Sequence, residues 1–147
     1  MKLEDIHSMW KKDCEIKKTN LDEESRLTPN LHAKYLELYS IEKTRLVMLE
    51  MKQKKLLKKK WLYYNGKMDK DQIDAEGWEY DPFEGLKVLK GEMNYYYDAD
   101  TDIQNSEMKI LYQKEVINTL KEIIDNLKWR HTHIRNMIDW RRFEAGG

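Results

Sequence analysis

The sequence predicts an all-α protein built from two long helices plus shorter helices. Three observations predict it. Glycine and proline are scarce, six and two in 147 residues, so the turn residues that hairpins require are largely missing. Charged residues reach 37% while hydrophobic ones still reach 40%, too apolar for a disordered chain. Apolar residues also recur at steps of three, four and seven. A chain of this length suits one domain with a modest core. The expected organisation is a single helical domain over 1–147. Within it, 1–66 is an N-terminal helical part with a basic segment, 67–99 an acidic connector with a short helix, and 100–147 a C-terminal oligomerisation helix.

The first helix is expected over Leu3–Lys18, where Leu3, Ile6, Trp10 and Cys14 fall at helical steps. Asn20 and Asp22 interrupt it, and Asp22 can cap a short turn through Leu27. Thr28-Pro29 reads as a cap followed by proline at the first helical position, where a missing N–H costs nothing. The first long helix then runs to Asn65-Gly66, a stop that tolerates positive φ. Leu31, Tyr35, Leu38 and Ile41 step by three or four, and Leu49, Leu56 and Tyr63 by seven. Roughly thirty-five residues is long for a globular helix and suggests coiled-coil-like packing. Residues 66–85 read as a connector whose Trp78, Tyr80 and Phe83 should dock it. Leu86–Tyr97 is expected to be helical despite the strand propensity of Tyr95–Tyr97.

The last segment carries the strongest pattern. Ile103, Ile110, Ile117, Ile124, His131 and Ile138 stand seven apart, with Leu120, Leu127 and Ile134 three further on. Val116, Ile123 and Met137 widen the stripe. Asp100 or Ser106 would start this helix and Gly146-Gly147 end it. Heptads sustained this long argue for supercoiled packing. The stripe is wide and the rest of the chain offers few matching faces, so self-association through Ile110, Ile117, Leu120, Ile124, Leu127, His131, Ile134 and Ile138 is expected. The alternative is a hairpin onto the first long helix. Trp129, Trp140 and Phe143 add apolar area near its end.

Net charge is zero, 27 basic against 27 acidic residues, but the charges are segregated. Residues 43–67 carry nine basic groups and one acid; residues 69–102 carry eleven acids and three lysines. Such asymmetry governs partners more than the total does. Enzyme chemistry is not expected: neither a GxxxxGK[ST] phosphate loop nor a GxSxG elbow is present. His131 and His133, two apart on a helix, point about 200° away from each other and cannot easily share one metal ion. No metal and no cofactor is expected. The lone Cys14 makes no internal disulfide, reads as a half-buried small hydrophobe, and fits a reducing cytoplasm. Met1–Trp10 is charged and not a signal peptide, and no apolar run would span a bilayer, so no membrane partner is expected.

The basic run is the leading candidate site. On a helical wheel Lys52, Lys54, Lys55, Lys58 and Lys59 share an arc of about 160°, with Leu49, Leu56, Leu57, Tyr63 and Tyr64 opposite. Ammonium groups this close repel one another, and a phosphate backbone would relieve them. Aromatic residues follow directly, and a basic track beside aromatic rings suits single strands, whose bases are free to stack. The candidate nucleic-acid-binding residues are Lys54, Lys55, Lys58, Lys59, Lys60, Trp61 and Tyr64. The competing reading is a solvated lysine face with tyrosines in the core. Lys60 falls among the apolar positions, so either it snorkels or the helix distorts near its end.

The opening Met1-Lys2-Leu3-Glu4-Asp5, then Lys11-Lys12-Asp13, the segment Leu57-Lys58-Lys59-Lys60-Trp61-Leu62-Tyr63-Tyr64 with Gly66, and the closing His133-Ile134 and Phe143-Glu144-Ala145-Gly146 together resemble the UvsY family of T-even-type phages and their marine cyanophage relatives. Residues 67–102 match poorly. The resemblance implies a non-enzymatic recombination mediator acting in the cytoplasm of the infected bacterial host. It implies three kinds of partner: single-stranded DNA, a UvsX-type recombinase and the phage single-strand-binding protein. It further implies a homo-oligomeric ring, hexamer or heptamer, formed through the C-terminal helices, and DNA contact at Lys58 and Lys60. Lysine at 60, where an arginine is usual in the best-known members, keeps the charge but loses the fork geometry.

Overall fold

A computed structural model describes residues 1–146. It is all-helical, with no strand among the described residues. In chain order the helices are α1 (Leu3–Asp13), α2 (Leu21–Tyr64), α3 (Lys70–Glu76), α4 (Met93–Ala99), α5 (Thr101–Leu127) and α6 (Arg130–Glu144), and a short 3-10 turn at Lys90–Glu92 leads into α4. The chain forms two compact units, Met1–Leu46 with Tyr112–Gly147, and Val47–Leu111. This division differs from the partition 1–66, 67–99 and 100–147 expected from sequence order, because α2 and α5 each give one part to either unit.

α2 is longer than expected: 44 residues, or about 66 Å at roughly 1.5 Å per residue. Pro29 does not open it but lies inside it. The proline ring removes one backbone donor, and the neighbouring Thr28 hydroxyl turns back to donate to the Glu24 carbonyl at 2.9 Å. At the other end, Gly66 at φ 67° closes a two-bond cap: its N–H reaches the Tyr63 carbonyl and that of Lys67 the Leu62 carbonyl.

In the first unit the core joins Ile6 of α1 and Tyr35 of α2 to Val116, Leu120, Ile123, Ile124 and Leu127 of α5. The α5 stripe is therefore covered by the chain itself. Leu120 is 0% and Leu127 3% exposed, and Ile110, Ile124 and Ile134 are also buried. The expected seam between copies thus includes five residues that this chain buries by itself; for Leu120, Ile124 and Leu127 the matching faces come from α1 and the early part of α2. The C-terminal segment is also two helices rather than one, broken at Lys128-Trp129. Asp100 starts α5, its carboxylate accepting from the Ile103 N–H at 3.0 Å. His131 sits exposed beside Thr132 instead of packed, and Cys14 is exposed rather than half-buried.

Two polar residues hold this unit. Arg130, 4% exposed at the start of α6, donates to the Asp13, Cys14 and Glu15 carbonyls at the end of α1 and pairs with Glu24 at 2.6 Å. These are carbonyls that a helix end leaves without donors. Glu42 occupies the inward row of α2 where the apolar spacing points to Ile41, which is instead 47% exposed. Gln113 donates to the Glu42 carboxylate at 2.7 Å, and Arg45 and the amino terminus lie close by.

Arg130→Ala would strand a half-buried Glu24 carboxylate and three carbonyls. We expect a stability loss of about 3 kcal/mol, read from the denaturant midpoint by circular dichroism.

Candidate nucleic-acid interface

The second half of α2 presents two different faces. Its inward row runs through Leu49, Leu56, Lys60, Tyr63 and Tyr64, at three-, four- and seven-residue steps. Its outward arc holds Lys54, Lys55, Lys58 and Lys59, all exposed. Leu57, expected to pack, is 42% exposed. Among the described residues Lys54, Lys55 and Lys58 have no carboxylate partner; Lys59 pairs with Glu76 of α3 at 2.8 Å, on the solvent-exposed surface. Trp61 is 47% exposed, with the Lys67 ammonium 4.5 Å from its ring centre. A cation on one ring face and open solvent elsewhere leave the indole able to stack.

Lys60 and Tyr64 are placed differently from expectation. Lys60 is only 3% exposed. It does not snorkel: its ammonium lies 2.9 Å from both the Asp100 and Asp102 carboxylates and 3.8 Å from the Trp78 ring centre. Tyr64, 8% exposed, donates to Asp100 at 2.6 Å and packs against Phe83, Tyr96 and Tyr97. Both side chains are turned away from the surface that Lys54, Lys55 and Lys58 present. The physical reason is helix phase: both stand in the inward row, and the acidic segment supplies the partners that make burial of an ammonium tolerable.

Sequence reasoning missed those partners. The connector docks through Trp78 and Phe83, with Ile73, packing on Tyr63 and Tyr64, but Tyr80, expected to dock with them, is 66% exposed. α3 begins at a reciprocal cap between Asp69 and Gln72, and Gly77 at φ 74° ends it. Residues 86–89 are not helical; helix begins only at Lys90, after the left-handed Glu84 and Gly85. Asp100, from the acidic stretch, joins Lys60, Tyr64 and the Ile103 N–H. The one signal in the sequence was the lysine itself, a charge in an apolar row.

Burial alone would push the Asp100 carboxyl up. The hydrogen bonds from Tyr64, Lys60 and the Ile103 N–H, with the Lys60 charge, outweigh it and hold the group below its ordinary value of 3.8. Burial, then the bond to Asp100, pushes the Tyr64 hydroxyl up, so it stays a donor at neutral pH.

With this geometry in place, the likeness to known proteins is specific. A family described as "Recombination, repair and ssDNA binding protein UvsY" matches residues 9–147. The chain belongs to the UvsY family. The recombination protein uvsY of Enterobacteria phage T4 is 30% identical over 146 residues, which span 99% of each chain. Crystal structures of the bacteriophage T4 recombination mediator protein UvsY share the fold. One lattice form has a TM-score of 0.80 at 28% identity, covering 99% of this chain and 98% of that one. Another has 0.79 at 27%, covering 98% and 99%. Of the two positions that likeness to the UvsY family marked for DNA contact, this chain exposes Lys58 and buries Lys60.

Lys60→Ala should therefore act on folding, leaving Asp100 buried without its cation. A loss of about 3 kcal/mol is expected in chemical denaturation, and less for Lys60→Met combined with Asp100→Asn. Because the folded Asp100 value lies below 3.8, its contribution is complete above that pH and is lost as pH falls through the folded value. Acid titration of stability should show a steeper fall below about pH 4 in the native chain than in Asp100→Asn.

Proposed function

We propose that this chain binds single-stranded DNA and promotes loading of a UvsX-type recombinase onto DNA coated by the phage single-strand-binding protein. It is a binding protein without a covalent step, acting in the cytoplasm of the infected host cell. The observation that carries the reading is the outward arc of Lys54, Lys55 and Lys58, without carboxylate partners among the described residues, continued by Lys59 and flanked by the half-exposed Trp61. Four ammonium groups on successive turns match a phosphate backbone, and binding releases its condensed counterions. The exposed indole adds a stacking surface that duplex DNA could not use.

One such patch binds weakly at physiological salt. Copies in a ring, hexamer or heptamer, multiply it by effective concentration. A strand held on repeated patches is bent away from the geometry its coat protein needs, which favours exchange for recombinase. With the α5 stripe spent on the core, the surface that can join copies is what remains exposed in the C-terminal part. The large apolar side chains exposed there are Met108, Leu111, Tyr112, Trp129, Trp140 and Phe143, while Ile117 and Ile138 are half-buried. Trp140 and Phe143 already stack at 5.4 Å between ring centres.

The test is a titration with a labelled single strand at several salt concentrations. Affinity should fall steeply with salt in the native chain. Lys58→Ala should weaken binding and flatten the logarithmic slope by about 0.7 for each phosphate that is no longer neutralised, with unchanged thermal stability. Flat or absent binding would instead mark a helical adaptor with solvated lysines. Trp140→Glu with Phe143→Glu should lower the mass seen by light scattering.

A further inference from the structure

The Val47–Leu111 unit contains a cleft of about 480 Å³ between α2 and α5. Its size falls within the roughly 300–1,000 Å³ of small-molecule sites. Leu49 and Leu56 give it an apolar wall, and the half-buried Trp78 indole, fixed by Lys60 and Tyr63, gives it an aromatic one. On α5, Asn105 and Ser106 bring amide and hydroxyl groups that both donate and accept. The lining also includes two carboxylates and two ammoniums. Glu76 is occupied by Lys59, and Asp102 by Lys60. Lys52 and Lys109 have no carboxylate partner among the described residues. The cleft thus combines an aromatic ring, amide hydrogen bonding and two ammonium groups without carboxylate partners.

We propose that this cleft receives an unstacked nucleobase from the bound single strand, a reading that rests on strand binding by the lysine face. Lys52 borders the cleft and also stands at the edge of that face, with Lys55 and Lys59 three and seven residues further along α2. Phosphates following this row leave a base beside the opening. The ring and apolar wall then take its faces, the Asn105 amide meets its edge, and Lys109 approaches the adjoining phosphate. Recognition of splayed bases uses this combination of stacking and edge hydrogen bonds. An amide that both donates and accepts suits a site tolerant of sequence.

The experiment compares a thymidine oligonucleotide with an abasic strand of the same length, by fluorescence anisotropy at fixed salt. The native chain should prefer the base-bearing strand by about tenfold. Asn105→Leu, a change at an exposed position, should cut that preference by about threefold or more and leave affinity for the abasic strand unchanged. Tryptophan emission provides a second readout: the component lost in Trp78→Phe should be quenched by the thymidine strand and not by the abasic one. Equal binding of both strands by the native chain, or a preference intact in Asn105→Leu, would overturn the cleft while leaving strand binding by the lysines in place. Absence of binding to either strand would bring down both.

Discussion

The ion pair that Lys60 makes with Asp100 and Asp102 is the constraint on which the second unit depends. An ammonium removed from water costs several kcal/mol unless it is paired and fully hydrogen-bonded. Here two carboxylates at 2.9 Å and the Trp78 ring at 3.8 Å meet that requirement. The arrangement fixes which way α2 faces. With Lys60, Tyr63 and Tyr64 turned inward, Lys54, Lys55 and Lys58 must turn outward, because residues on one helix keep their angular relation. It also determines where the acidic segment goes. Asp100 and Asp102 neutralise the buried lysine and Glu76 meets Lys59, so three acids of this segment are engaged within their own chain.

A parallel economy governs the first unit. The seven-residue row of α5 reads as a seam between subunits, yet Ile124 of that row and its neighbours Val116, Leu120, Ile123 and Leu127 pack with Ile6 of α1 and Tyr35 of α2. Arg130 stands at the break between α5 and α6 and its guanidinium reaches three carbonyls and a carboxylate. Trp129 at this break is exposed, and so are Trp140 and Phe143 further along α6. Folding draws on the aliphatic residues of the C-terminal part, and the proposed assembly draws on the aromatic ones.

The all-helical class, the long α2, the docking of the acidic connector and the exposed lysine arc were legible in the sequence, because periodicity and helix phase are local properties. Family membership was legible too, from motifs spread across the chain. What escaped reading was tertiary. Pro29 looked like a helix start because its effect on a helix interior depends on what the neighbouring turns can satisfy. Leu120 and Ile124 looked like a subunit seam because periodicity shows that a face is covered, not by which chain. The burial of Lys60 was hidden because a run of like charges invites a single role. The wheel already placed Lys60 on the wrong side of the helix; that its partners were Asp100 and Asp102, some forty residues on, could not be seen from pattern alone.

The most direct measurement is the rate at which each lysine of the folded chain reacts with an amine-specific acylating reagent, resolved by mass spectrometry. Lys54, Lys55 and Lys58 should be modified rapidly, while Lys60 stays protected until the protein unfolds and then reacts like the others. Modification of Lys60 at the rate of Lys58 in the native chain would contradict the account.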